Sequence, residues 1–191
     1  MSRIIAGDAG SIRLAAAPNG TRPTSDRVKE SLFASLESLD AIADRSVLDL
    51  FAGTGALGLE ALSRGASSLV GIEKNRLALQ AALKSAAAVG TALNAAGRRP
   101  PIEFKLVDSF SYLAGTDQEF DLIFADPPYA LEGVEVGRLL FLASKVTKPE
   151  GVIVIEQSGK VSALETPDNL TQLSRRDYGD TSVFVFRATA P

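Results

Sequence analysis

Asp126-Pro127-Pro128-Tyr129 is the stretch whose residue types most directly imply chemistry. The two prolines fix φ and withhold backbone N–H groups, so the loop is stiff and its carbonyls lack local donors, while Asp126 and Tyr129 project from it. That arrangement suits a planar amine. An exocyclic amino group on a nucleobase can donate one hydrogen to the Asp126 carboxylate and the other to the Pro127 carbonyl, with the Tyr129 ring stacked on the base. The nitrogen lone pair then faces a bound electrophile. The plain structural alternative is that Pro-Pro stops a strand and the aromatic covers a sheet edge.

The elements that must position this loop are legible as an alternation. An apolar run over 120–125 leads into it and reads as a buried strand. Further strands are expected over 46–51, 68–73, 102–107 and 151–157, with helices between them over 56–64, 76–89 and 132–146. Gly65 is placed to close the first of these helices as its C′ residue. Such alternation is the pattern of βαβ units and a parallel sheet covered on both faces, an α/β doubly wound architecture. Two β-rich runs over 170–176 and 181–187, joined around Tyr178-Gly179-Asp180, predict an antiparallel hairpin ending the sheet. Ahead of the core, 3–6 and 11–15 flank Gly7-Asp8-Ala9-Gly10 as a small hairpin. A helix then follows, capped by Thr24 or Ser25, with Val28, Leu32, Phe33, Leu36 and Leu39 as its apolar stripe. Residues 86–97 are low in complexity and read as a frayed helix end and surface loop.

Composition removes several chemistries. With 191 residues and 46% hydrophobic content the chain can fill one sizeable core. It contains no cysteine and no histidine, which excludes thiol nucleophiles, imidazole bases, disulfides and Cys or His metal sites. Chemistry must rest on carboxylates, backbone groups, lysine, tyrosine or hydroxyls, and no metal is expected. The first residues lack the apolar core of a signal peptide, and no apolar stretch reaches the roughly 18 residues of a membrane span, so a soluble, cytoplasmic protein without membrane partners is expected. A net charge of −3 argues weakly against a nucleic-acid partner. Distribution offsets this, because Arg3, Arg13, Arg22, Arg27 and Lys29 stand against Asp8, Asp26 and Glu30 in the first thirty residues.

A second constellation precedes the loop. Residues 47–58 run from a strand through a glycine-rich turn into a helix, with the spacing Gly53-x-Gly55-x-x-Gly58, and Glu73 closes the next strand twenty residues after Gly53. A dinucleotide fold shares this spacing. Asp49 favours a different ligand: a pyrophosphate gains nothing from a carboxylate ahead of the turn, whereas S-adenosyl-L-methionine carries a sulfonium and an ammonium that do. Asp108, closing the third strand, is placed to accept from an adenine amine, although Asp and Ser after a strand also cap helices. Phe51, Lys74 and Ser109 sit beside these groups and complete the expected cofactor-binding set.

Taken together, the glycine turn, the acid after strand two and the Asp-Pro-Pro-Tyr loop after strand four resemble class I S-adenosylmethionine-dependent methyltransferases that modify amines. The stretches 3–7, 22–33 and 55–66 narrow the likeness to the RsmD family of bacterial small-subunit ribosomal RNA guanine methyltransferases, over nearly the whole chain. The resemblance implies a mostly parallel, seven-stranded Rossmann-like sheet, with residues 1–40 as an RNA-recognition appendage and 41–191 as the methyltransferase domain. It also implies methyl transfer to the exocyclic amine of a guanine in small-subunit rRNA, within an assembling ribosomal particle, by a monomer. Asp49, Gly53, Gly55, Glu73 and Asp108 would hold the cofactor, and 126–129 the base. Arg22, Thr24 and Arg27 are the expected substrate contacts, with pairing of the arginines to Asp26 or Glu30 as the structural alternative. The chain departs from the family in its first hairpin, where Asp8-Ala9-Gly10-Ser11-Ile12-Arg13 stands in place of further glycine and basic residues. An adenine amine in DNA or RNA fits the same loop. An NAD-dependent oxidoreductase and a non-catalytic RNA-binding assembly factor are more remote, since neither accounts for an intact Asp-Pro-Pro-Tyr loop.

Overall fold

Successive apolar residues of each strand go to opposite faces of one sheet. Val47, Leu69, Leu122, Phe124, Val152 and Val154 face one layer of helices; Leu48, Val70, Ile123, Ile153 and Ile155 face the other. A computed structural model describes residues 2–16, 26–128, 131, 133–158 and 163–189. Its elements are α1 (Asp26–Ser38), β1 (Ser46–Asp49), α2 (Ala56–Ser63), β2 (Ser68–Glu73), α3 (Arg76–Ala95), β3 (Ile102–Leu106), α4 (Ser109–Gly115), β4 (Phe120–Ala125), α5 (Gly133–Lys145), β5 (Thr147–Ser158), β6 (Leu170–Tyr178) and β7 (Thr181–Ala188). The seven strands lie in the order β3-β2-β1-β4-β5-β7-β6. The first five are parallel, and β7 joins antiparallel to β5 and β6. The expected doubly wound sheet with a C-terminal antiparallel hairpin is therefore the observed fold. No described helix is long and apolar enough to cross a membrane.

One core layer joins α1, α2, α3 and the amino-terminal hairpin to the sheet; the other joins α4 and α5. The switch in strand order between β1 and β4 opens a crevice at their carboxyl ends, where such sheets bind ligands. Gly65 ends α2 as expected: at φ +109° it brings its own N–H to the Leu62 carbonyl (3.2 Å) and the Ala66 N–H to that of Ala61 (3.0 Å).

Two expectations are corrected and one helix is added. The low-complexity stretch is helical, since α3 continues to Ala95: Ala82, Val89 and Leu93 fall at helical spacing on the core side and are buried. Strand β5 begins at Thr147 instead of 151. Its register slips between Phe120↔Thr147 and Leu122↔Val152, with Glu150 at φ +62°. The short helix α4, not expected as a helix, is nucleated by Asp108, whose Oδ1 accepts from the Phe110 and Ser111 N–H groups at 3.0 and 3.2 Å. The first hairpin forms with one bridge, Arg3↔Arg13, and no longer ladder.

That hairpin is fastened to α2 by polar contacts. Fully buried Glu60 accepts from Ile5 N (2.7 Å), Ala6 N (3.1 Å) and Arg64 Nε (2.7 Å). Arg64 also reaches Glu37 (2.8 Å) and lies over the Phe33 ring. Ser63 accepts from Ala9 N at 2.9 Å and donates to the Ala6 carbonyl. Gly7 is required by this approach, because a Cβ there would lie 2.0 Å from the Ser63 carbonyl oxygen. Lys29 is completely buried, donates to the Arg3 carbonyl at 2.5 Å, and has its pKa lowered by burial against the opposing pull of Glu60 and Asp26.

Candidate active site at the carboxyl edge of the sheet

Past the end of β1 the chain keeps sheet-like bonds for a few residues: Leu50 N donates to Phe124 O and Ala52 N to Ile72 O, both at 2.9 Å. It then turns sharply, with Gly53 at φ +55° and Gly55 at φ +82°, conformations that suit glycine. A Cβ on Gly53 would meet only the Phe51 carbonyl, 4.0 Å away, so this side of the turn is open to a ligand. Gly58 serves packing, since a Cβ there would come within 2.5 Å of Leu69. Its N–H donates to Asp49 Oδ2 at 3.1 Å.

Strand register sets the acidic groups together. Asp49 lies opposite Phe124 on β4, and Ala125 opposite Ile155 on β5, so the next residues, Asp126 and Glu156, are neighbours across β4 and β5. Asp49 is 2% exposed, and burial raises its pKa to about 7, against the lowering effect of N–H bonds from Gly58 and Phe51. The Asp126 carboxyl is raised well above the ordinary range by burial, then by Glu156 and by Asp49. Like charges crowded in this way favour protonation until a cation arrives. Among the described residues no group of His, Cys, Asp or Glu is arranged to hold a metal.

In the proline loop, Pro127 is buried and Pro128 exposed. The Pro128 carbonyl accepts from Leu131 N at 2.8 Å, whereas among the described residues the Pro127 carbonyl accepts no backbone hydrogen bond. An acceptor therefore stands next in sequence to the Asp126 carboxylate. Tyr129 lies outside the described residues, as do Arg22 and Thr24.

The remaining expected residues divide by what they already touch. Glu73 accepts from Gly53 N (2.9 Å) through one oxygen and Asn75 N (2.7 Å) through the other, which leaves two lone-pair sites for ribose hydroxyls. Asp108 uses Oδ1 alone to cap α4, and Oδ2 takes no part in the cap. The Ser109 hydroxyl is engaged by the Leu50 carbonyl, so its side chain ties α4 to the turn instead of facing a ligand. Phe51 packs against the α4–α5 core, and Lys74 is exposed. Arg27 is exposed on α1 and makes no ion pair among the described residues; Asp26, its expected structural partner, pairs with Arg3 at 3.0 Å. Glu156 was not among the expected site residues. Its signal was available as an acid ending the apolar run Ile153-Val154-Ile155, the same placement as Asp126 after β4.

The sheet with its glycine turn open at Gly53, the acidic crevice and the Asp-Pro-Pro loop are the features of an S-adenosylmethionine-dependent methyltransferase with the class I fold. The family model described as conserved hypothetical protein 95 matches residues 2–187. Ribosomal RNA small subunit methyltransferase D of Haemophilus influenzae is 32% identical over 168 residues, covering 88% of this chain and 83% of its own. YlbH of Bacillus subtilis is 31% identical over 186 residues, covering 97% and 98%. The solved structure of yhhF from Escherichia coli superposes with a TM-score of 0.82 at 29% identity, covering 100% of this chain and 99% of that one. The chain belongs to the ribosomal RNA small subunit methyltransferase D (RsmD) family.

Proposed function

We infer that this protein methylates the exocyclic amine of a guanine in small-subunit ribosomal RNA, presented in an assembling ribosomal particle. The reading is supported by the Asp126 carboxyl, which shares the acidic end of the crevice with Asp49 and Glu156 and is followed in sequence by a Pro127 carbonyl that accepts no backbone hydrogen bond among the described residues. The names of the relatives support rRNA as the substrate, and the loop's acceptor pair supports an amine as the group modified.

When bound, S-adenosylmethionine would supply a methyl group activated by its sulfonium, whose S–CH₃ bond breaks as the N–CH₃ bond forms, with S-adenosylhomocysteine leaving as a neutral thioether. Asp49 would hold the positive end of that ligand, Glu73 the ribose hydroxyls and Asp108 the adenine amine. Asp126 and the Pro127 carbonyl each accept one hydrogen of the guanine NH₂, which favours a pyramidal nitrogen and stabilises the positive charge developing on it. Asp126 can then take the proton that the methylated amine releases. Tyr129 stacks on the extruded base, a contact worth about 1–3 kcal/mol in comparable cases. Residues 1–40, with Arg22, Thr24 and Arg27, are assigned to RNA contact, and the protein acts as a monomer.

The test is incubation with labelled S-adenosylmethionine and separate pools of bare small-subunit RNA, small subunits and DNA, followed by identification of the modified nucleoside. N2-methylguanine from small-subunit RNA is expected. N6-methyladenine in any pool would overturn the guanine assignment.

A further inference from the structure

Helix α5 opens just beyond the catalytic loop and buries Val136, Leu139, Leu140 and Ala143 against the sheet. Its outer side carries Val134, Arg138, Phe141 and Lys145, at i, i+4, i+7 and i+11, which is one helical stripe. Val134 is 88% exposed and Phe141 49%. Both cations lie over aromatic rings: the Arg138 guanidinium is 5.4 Å from the Phe110 centroid, and the Lys145 ammonium 4.4 Å from that of Phe141.

The cations of this acidic chain fall into two groups. Arg3, Arg64, Arg98 and Lys148 all pair with carboxylates at 3.1 Å or less. Arg138 and Lys145 make no ion pair among the described residues, which is also true of Arg27, Arg76 and Lys84; what sets these two apart is the aromatic ring beneath each. An arginine stacked on a ring keeps its N–H donors directed outward, which suits phosphate oxygens, and an exposed phenyl ring suits a base. The stripe spans about 16 Å, since a helix rises 1.5 Å per residue.

We propose that the Val134–Arg138–Phe141–Lys145 face of α5, with Phe110 beneath Arg138, is the track on which the single-stranded RNA flanking the target nucleotide lies as it enters the catalytic loop. Charge complementarity selects the occupant: a stripe of unpaired cations and aromatics on a protein of net charge −3 attracts a polyanion with exposed bases. The inference rests on the rRNA reading of function given above.

The experiment compares wild type, Arg138→Ala/Lys145→Ala and Arg138→Lys. Bare small-subunit RNA binding is titrated against salt, methylation kinetics are measured on small subunits, and S-adenosylmethionine affinity is measured by calorimetry. Loss of two phosphate contacts should lower the slope of log K against log salt by about 1.4 in the double variant and raise KM roughly tenfold. Its kcat and cofactor affinity should match wild type, and Arg138→Lys should keep the wild-type slope. An unchanged slope and KM in the double variant, with active wild type, overturns the track alone. An effect seen with intact subunits and absent with bare RNA assigns the stripe to a ribosomal protein and overturns it too, as does a fall in cofactor affinity. Wild type that transfers no label to small-subunit RNA overturns the functional reading and the track together.

Discussion

Glu60 and Asp49 are both carboxylates removed from water, eleven residues apart in sequence, and the protein surrounds them in opposite ways. Glu60 receives two backbone N–H groups and a guanidinium, so its charge is matched inside the fold. Asp49 receives backbone N–H groups but no cation, and shares its crevice with Asp126 and Glu156, so its pKa climbs to about 7. The first arrangement fastens an element. The second holds a site whose missing counter-charge arrives with the ligand, and it costs stability for as long as the ligand is away.

Substitution at the catalytic loop should break this contrast most severely. Asp126→Asn keeps the shape but replaces one acceptor oxygen with a donor and removes the charge, so kcat should fall by about 10²–10³-fold or more. Cofactor affinity should stay near wild type, because Asp126 is assigned to the base. Turnover assays paired with calorimetry check this, and an active Asp126→Asn enzyme removes the residue from the mechanism. Glu60→Ala should cost about 2–4 kcal/mol of folding stability, since it removes the acceptor of two part-buried N–H groups and leaves the Arg64 guanidinium with Glu37 alone. Urea unfolding measures that loss, and the ligand-free Asp126→Asn protein should show none.

Asp49→Asn sharpens the comparison through pH. The native state holds the Asp49 proton up to about pH 7, while the unfolded chain releases it near 3.8. Between these values the native state binds more protons, so this group's contribution falls as pH rises through the window and levels off above it, a loss of at most about 4 kcal/mol. Without ligand, the Asp49→Asn protein should therefore melt higher than wild type at pH 8 and match it more closely at pH 5, because the amide oxygen of the new side chain can still accept the Gly58 N–H. Cofactor affinity should drop about 10- to 100-fold at pH 8. In wild type the affinity should weaken below pH 7, as protons compete with the cationic ligand, and in the variant that dependence should be shallower.

These two carboxylates also mark how far the sequence could be read. Asp49 and the glycine turn were legible because strand, turn and helix follow one another within twelve residues, and short apolar runs identify the strands on either side. Asp126 was legible because two prolines after an apolar run restrict what the loop can be. Glu60 was not, because its partners Ile5 and Ala6 lie more than fifty residues away and no local pattern reports them. Lys29 misleads for the same reason: it counts towards a basic amino-terminal segment, yet it is sealed beneath the hairpin. With Arg3 held by Asp26, much of the apparent RNA-binding charge of that segment is engaged within the fold. The end of α3 was hidden by its alanine content, although Val89 and Leu93 already stood at helical spacing.

Asp108 offers the subtlest test, because one carboxylate is assigned both a structural and a ligand-binding task. Its Oδ1 caps α4, and a side chain that loses the cap costs about 1 kcal/mol. Serine caps as well as aspartate but is too short to cap and reach an adenine amine at once, so Asp108→Ser separates the two tasks. Thermal stability should stay within about 0.5 kcal/mol of wild type. Cofactor affinity should fall roughly 5- to 10-fold, the value of about one hydrogen bond. If affinity holds while Asp108→Ala loses only stability, the residue is a helix cap and the adenine is held elsewhere.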